Sequence, residues 1–262
     1  MIRIFVDPRE LVTGELVVRG DEHHYLAHVR RARPGDPVEL VDGAGRHAAA
    51  TIARLAERET TLVAGPPEAI APQPPFVRAL LPLIKGDRMD SCIEKLVEVG
   101  VDAIVIWPAA RSVARLADDR REARIAKYRA IAQAAARQSG RAQVPEVAAV
   151  DGLAAALAGL PEGARLVLDP KSDATLEAAL AMDLAMAGPA ADSPPTGATA
   201  GSAGRGPSAG DVTVVSGPEG GLTWQEREQL AGFAPLGLGP RTLRAETAPV
   251  IAVALIRAAT RS

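Results

Sequence analysis

Cysteine is nearly absent: Cys92 is the only one in 262 residues. A single cysteine excludes an internal disulfide and any multi-cysteine metal site, and it fits a reducing compartment. Aromatic residues make up 3% of the chain, too few to argue for single-strand recognition by stacking platforms. Neither sign of charge dominates, and a formal net charge of −2 excludes wholesale coating of nucleic acid while leaving local patches open. No apolar run reaches the roughly 18 residues that a membrane span requires. The opening MIRIFVDPRE is charged early and has no signal-type apolar core. The sequence has neither a Walker A motif nor a G-x-S-x-G elbow. What is present is 47% hydrophobic residues, enough for a sizeable core. These features predict a cytoplasmic globular protein without a membrane partner.

Two rhythms divide the chain. Up to about residue 71, short strands are expected at 2–6, 15–19, 38–42, 47–55 and 60–64, punctuated by turns such as RPGD and DGAG. Only residues 22–31 read as helical there. This predicts a small β-rich domain over 1–71, a barrel. The APQPP segment (71–75) cannot join a sheet and is expected to be the linker. From residue 76 strands and helices alternate. Strands are expected at 77–84, 103–107, 166–169, 212–216 and 233–238. Helices are expected at 89–99, 120–139, 174–186, 223–231 and 247–259. That alternation predicts an α/β domain over 76–262 with a largely parallel sheet. Residues 188–210 contain no large apolar side chain and read as a disordered surface insertion.

Several candidate sites carry little. GAGRHA (43–48) fits a dinucleotide fingerprint, yet a strand follows it rather than a helix, so a hairpin turn is expected. His24 and His28 are one helical turn apart beside His23, but no third ligand is near, and no metal is expected. Arg30, Arg31 and Arg33 follow them, which suggests an RNA-facing surface. Between Trp107 and Pro145 lie nine cations, Arg111, Arg115, Arg137 and Arg141 among them, against three acids. On spacing alone this is either one solvated helix face or a set of phosphate-backbone contacts.

The C-terminal third holds two glycine turns. SGPEGG (216–221) follows an apolar strand, and Thr223 with Glu226 makes a capping box for the next helix. GLGPRTLRAET (237–247) follows another strand and also leads into a helix. Strand, glycine turn and helix N-terminus together commonly hold a small molecule. Either turn alone reads as an ordinary α/β connection. The pair, with Arg241, Arg244 and Glu246 in the second, points to a site.

At these residues the sequence resembles the bacterial 16S rRNA (uracil-N3)-methyltransferase family of the SPOUT superfamily. GPEGGLTWQE and LGLGPRTLRAETA carry the likeness, supported by KGDRMD (85–90), EKLVEVGV (94–101), Arg111-Ser112 and AAARQSGR (134–141). HHYL (23–26) and RPGD (33–36) match the family's PUA-like barrel. The resemblance spans nearly the whole chain in order. Val99 stands where the family often has leucine, Pro249 where it usually has alanine, and residues 188–210 are longer than the usual connection.

The resemblance implies a C-terminal SPOUT domain with a deep trefoil knot behind a small PUA-like β-barrel, pairing as a homodimer through the knotted domain. It implies S-adenosylmethionine as cofactor, held by Leu168, Asp169, Ser216, Gly217, Pro218, Glu219, Gly220, Gly221, Leu236, Leu238, Gly239, Leu243, Thr247 and Ala248. It also implies methylation of N3 of a decoding-site uridine (the uridine 1498 position) of 16S rRNA in the small ribosomal subunit. Arg244 is the first candidate for stabilising an N3 anion and Arg241 the second, with Glu246 orienting the arginine and Glu219 orienting substrate or cofactor. Arg30, Arg31, Arg33, Arg111, Arg137 and Arg141 are the candidate RNA contacts. Two other readings stay open: a SPOUT methyltransferase acting on another RNA such as tRNA, and a non-enzymatic RNA-binding assembly factor.

Overall fold

The computed structural model describes residues 2–71, 73–112, 118–187 and 210–260. Arg115 and, apart from Gly210, the expected insertion at 188–210 lie outside them. Two compact units result: Met1–Gln73 with Ala132–Pro145, and Pro74–Ile131 with Glu146–Ser262.

The first unit is built from β1 (Ile2–Phe5), β2 (Gly14–Arg19), α1 (Gly20–His24), a π-helical turn (Tyr25–Val29), β3 (Pro37–Val41), β4 (Arg46–Leu55), β5 (Glu59–Ala64) and β6 (Glu68–Ala69). The strand order is β1-β3-β4-β5-β2, with β6 on β4. Only β1 and β3 run parallel. Alternation makes the core: Ala48, Ala50 and Ile52 of β4 point inward between exposed neighbours, as a period of two requires. They meet Ile4, Leu16, Val18, Leu40 and Leu62 from the other strands and Leu26 from the π turn. This is the arrangement of a small barrel, open between β1 and β2, which do not pair among the described residues.

The single helix expected at 22–31 is instead α1 followed by the π turn. It starts two residues earlier, at Gly20 with φ of 60°. It is closed by the Arg30 N–H donating to the Tyr25 carbonyl at 2.8 Å, and Arg31 then takes a left-handed φ of 52°.

The second unit contains β7 (Val77–Pro82), α2 (Asp87–Val99), β8 (Ala103–Trp107), α3 (Asp118–Gln138), β9 (Glu146–Ala149), α4 (Leu153–Leu157), β10 (Ala164–Leu168), α5 (Leu176–Ala187), β11 (Val212–Val215), α6 (Trp224–Gln229), β12 (Ala234–Leu236) and α7 (Ala248–Ala259). Its sheet, β12-β10-β11-β7-β8-β9, is parallel throughout. Central strands of such a sheet lose both faces to the core, and Ala79, Leu80, Leu81, Val214 and Val215 are all buried. Sequence reading did not anticipate β6, β9 or α4, each five residues or fewer and too short to show a period.

Helix α2 buries Met89, Cys92, Ile93, Leu96 and Val97, a spacing of three and four that makes one apolar stripe. Gly100, at φ of 102°, ends it and donates to the carbonyls of Leu96 and Val97, as a C-terminal glycine does. Burial pushes the Cys92 thiol up to about 12, with the charge of Glu246 adding to the shift. Arg257 of α7 is buried and donates to the carbonyls of Gly100 (2.9 Å) and Pro75 (2.7 Å) and to the Asp102 carboxylate. Asp102 in turn accepts from the Val77 N–H at 2.9 Å. One ion pair thus ties the start of the sheet to its last helix.

The end of α3 groups with the first unit. There the Arg137 guanidinium is bonded to Glu22 and stands over the rings of Phe5 (5.8 Å) and Tyr25 (5.3 Å). Burial raises the Glu22 carboxyl above its usual range even with Arg137 beside it.

Candidate active site

The chain passes from β10 to β11 on one side and later reaches β12 on the other. A parallel sheet opens a crevice beyond its strand ends where the order reverses in this way. A cleft of about 180 Å³ lies there. Leu168 and Asp169 enter it from the end of β10, Ser216 from β11 and Leu236 from β12. The 217–221 turn and the 238–245 turn form its sides. Leu168, Leu222, Leu236, Leu238 and Leu243 make most of the wall apolar. Among these carbons Ser216 is 2% exposed, and its Oγ has no hydrogen-bond partner. An orphaned buried hydroxyl is costly, so a ligand group that pairs with it would bind with advantage. Opposite, Asp169 faces the Arg227 guanidinium at 3.5 Å.

Of the residues singled out for the cofactor, Leu168, Asp169, Ser216, Gly217, Pro218, Glu219, Gly221, Leu236, Leu238, Leu243 and Ala248 line this cleft, whereas Gly220, Gly239 and Thr247 do not. Gly220 has a different reason to be glycine. An added Cβ would sit 2.9 Å from Cβ of Arg111, whose Nη1 donates to the Gly220 carbonyl at 3.2 Å. At Gly237 an added Cβ would overlap the Ser172 carbonyl oxygen, so the second turn can lie against residues 172–174 only without a side chain.

Glu219 and Arg241 line the cleft, and Arg244 and Glu246 stand beside it. Arg244 is 77% exposed at its side chain, and its Nη1 lies 3.8 Å from Glu246 Oε1. A residue not assigned a role from sequence, Arg88 at the start of α2, bridges the two turns. Its Nη2 is 3.1 Å from Glu219 and its Nη1 3.8 Å from Glu246. Glu226 forms the expected capping box with Thr223. Its second oxygen also accepts the Ala110 N–H at 2.9 Å, a contact 116 residues away that no local pattern signals.

Arg30, Arg31 and Arg33 are exposed on the first unit. The later cations are largely engaged by their own chain. Arg121 is bonded to Asp151 and the Ala149 carbonyl, Lys127 to Asp90, Arg129 to the Val147 carbonyl and Arg137 to Glu22. Arg111 holds the 217–221 turn as above, and Arg141 is half-buried. The described residues gather no group of three His, Cys, Asp or Glu able to hold a metal ion. His23 is buried against Thr60 Oγ1 at 2.8 Å, while the rings of His24 and His28 are 4.9 Å apart.

A family model described as an RNA methyltransferase domain matches residues 72–257, and one described as an RNA methyltransferase PUA domain matches residues 18–63. The ribosomal RNA small subunit methyltransferase E of Mycobacterium bovis is 32% identical over 259 residues, covering 96% of this chain and 89% of its own. The chain belongs to the ribosomal RNA small subunit methyltransferase E family. Its Bacillus subtilis relative of the same name is 29% identical over 91% of this chain and 88% of its own.

Solved structures agree. The Neisseria gonorrhoeae ribosomal RNA small subunit methyltransferase E, bound to S-adenosylmethionine, superposes with a TM-score of 0.77 at 28% identity, covering 99% of this chain and 98% of its own. A putative methyltransferase of Legionella pneumophila in complex with the same cofactor gives 0.77 at 26% identity, covering 98% and 97%. Of the fold expected from the resemblance, the PUA domain and the parallel α/β domain are present in this methyltransferase family member.

Proposed function

We propose that the protein methylates 16S rRNA in the small ribosomal subunit with S-adenosylmethionine, at N3 of one decoding-site uridine (the uridine 1498 position). The observation that carries this is the cleft at the ends of β10, β11 and β12, whose wall is mostly apolar, with Ser216, the Asp169–Arg227 pair and the two turns as its polar parts. Its shape suits a nucleoside whose flat base lies against Leu168, Leu236, Leu238 and Leu243 while a polar group reaches the orphaned Ser216 Oγ. The relatives bound to S-adenosylmethionine support that ligand.

S-adenosylmethionine, when bound, supplies the electrophilic methyl group. The chain's own task concerns the nucleophile. Uridine N3 carries a proton in the ground state, and its lone pair becomes nucleophilic when that proton leaves. A guanidinium near O2 or O4 favours the N3 anion, as a positive charge lowers the pKa of any neighbouring acid. Arg244 is the candidate, since it is exposed beside the cleft with Glu246 behind it. Arg241, on the cleft wall, is the second. The exposed Arg30, Arg31 and Arg33 suit the phosphate backbone. A cytoplasmic homodimer joined through a knotted second unit completes the reading. Among the described residues, no helix is long and apolar enough to cross a membrane.

Small subunits carrying cytidine in place of the target uridine test the reading. They should accept no methyl group while uridine-bearing subunits do. Equal transfer to both would overturn it.

A further inference from the structure

Two acidic side chains, Glu219 on the cleft wall and Glu246 beside it, share one cation. Glu219 belongs to the turn after β11 and Glu246 to the turn after β12, and Arg88 from the first turn of α2 lies between them at 3.1 Å and 3.8 Å. Arg244 approaches the other oxygen of Glu246 at 3.8 Å. The order Glu219, Arg88, Glu246, Arg244 alternates in sign and sums to zero. Within it Glu246 is the least exposed, and its Oε2 has no hydrogen-bond partner. A buried carboxylate oxygen left unpaired is costly. A guanidinium moving by roughly an ångström would pair with it, because charged hydrogen bonds form near 2.8 Å.

The two arginines differ in freedom. Arg88 is anchored on α2, whose Met89, Cys92 and Ile93 are buried, and is already held by Glu219. The Arg244 side chain is largely exposed, and among the described residues its one ion pair is the approach to Glu246. If Arg88 were removed, Glu219 and Glu246 would be two uncompensated carboxylates facing one mobile arginine. They would draw Arg244 inward, away from a substrate outside the cleft.

We propose that Arg88 is a positioning residue for methyl transfer: it joins the two cleft turns through Glu219 and Glu246 and so leaves Arg244 free to face the substrate. Arg88 is not itself part of the cleft wall, although its partner Glu219 is, so its removal should be felt more in the chemical step than in cofactor affinity. The inference rests on the methyl-transfer reading above.

The test uses the whole protein with Arg88→Met, Glu246→Gln and the double variant. Each is checked first for an unchanged circular dichroism spectrum, then measured for S-adenosylmethionine affinity and single-turnover transfer to unmodified small subunits. Arg88→Met should keep the dissociation constant within about threefold and slow transfer by roughly 30-fold or more, as loss of positioning does. Because the residues act as one unit, the double variant should be no more than about threefold slower than the slower single variant.

Independent, multiplying losses would overturn the proposal. So would a rate within threefold of wild type, or a loss confined to cofactor affinity. If wild-type protein transfers no methyl group, the functional reading fails by itself. The joining of the turns is then read from amide exchange, which in Arg88→Met should speed up about tenfold or more in both 216–221 and 241–247. Unchanged exchange there would overturn the joining too.

Discussion

Glu226 serves two distant stretches of backbone at once. One carboxylate oxygen accepts the Ala110 N–H at 2.9 Å, while the other accepts the Thr223 N–H at 2.7 Å and closes the cap of α6. The residue is 7% exposed, so neither N–H has water as a substitute. Changing Glu226 to Gln puts an amide nitrogen against one of these donors. That should cost about 1–3 kcal/mol, the penalty of leaving a buried donor unpaired. Urea unfolding measures it. A midpoint equal to wild type would mean that the 109–111 turn is not held by this carboxylate.

Gly237 lies against Ser172. Its Cβ would overlap the Ser172 carbonyl oxygen, and the Gly237 N–H donates to Ala174 at 3.0 Å. Gly237→Ala must therefore displace the strand end that carries Leu236 and Leu238 into the cleft. S-adenosylmethionine affinity, measured by calorimetry, should fall by about tenfold or more, since small misplacements of a site are costly. Gly232→Ala, where a Cβ meets open space, should leave affinity unchanged.

The Cys92 thiol is pushed up to about 12 by burial first and the charge of Glu246 second. A thiol is neutral when protonated, so the folded state keeps this proton where the unfolded state, near pH 9, releases it. The resulting stability is fully present below pH 9 and is lost as pH rises towards 12. Wild type should exceed Cys92→Ala in stability by less at pH 11 than at pH 8, with a slope approaching about 1.4 kcal/mol per unit. At pH 8 the native thiol should also resist a disulfide reagent until the protein unfolds.

Arg30, Arg31 and Arg33 are exposed and directly follow the π turn, which ends at Val29. If they touch phosphates, each change to Gln should lower the salt slope of small-subunit binding by about one unit. Arg137→Gln should act differently. It removes the charged partner of the half-buried Glu22 and should destabilise the first unit by roughly 1–2 kcal/mol, less than a fully buried pair would lose because solvent screens part of it.

Much of this was legible in the residues. The strands of the first unit were marked by the turn residues between them, and α2 ends at Val99, the end of the helix expected at 89–99. Thr223 and Glu226 signalled the start of α6 three residues apart. The two glycine turns pointed to the cleft because they hold glycine and charge directly after apolar strands.

What stayed hidden depends on contacts between distant parts of the chain. Arg137 looks like one more cation in a basic run, and nothing local says that Glu22, 115 residues earlier, takes its charge. Gly220 is assigned to the cofactor by the resemblance and Gly237 stands in the second glycine turn, yet what they make room for is Arg111 and Ser172. Arg88 sits in a recognised motif, but its bridge between Glu219 and Glu246 exists only once β11, β12 and α2 are brought together. The short β9 and α4 gave no periodicity to read.

The most direct measurement is methyl transfer from labelled S-adenosylmethionine to small ribosomal subunits that lack the modification, with the labelled nucleoside identified by mass. A single 3-methyluridine per subunit is the predicted product. A different methylated nucleoside, or no transfer from protein that binds the cofactor, would contradict the proposed function.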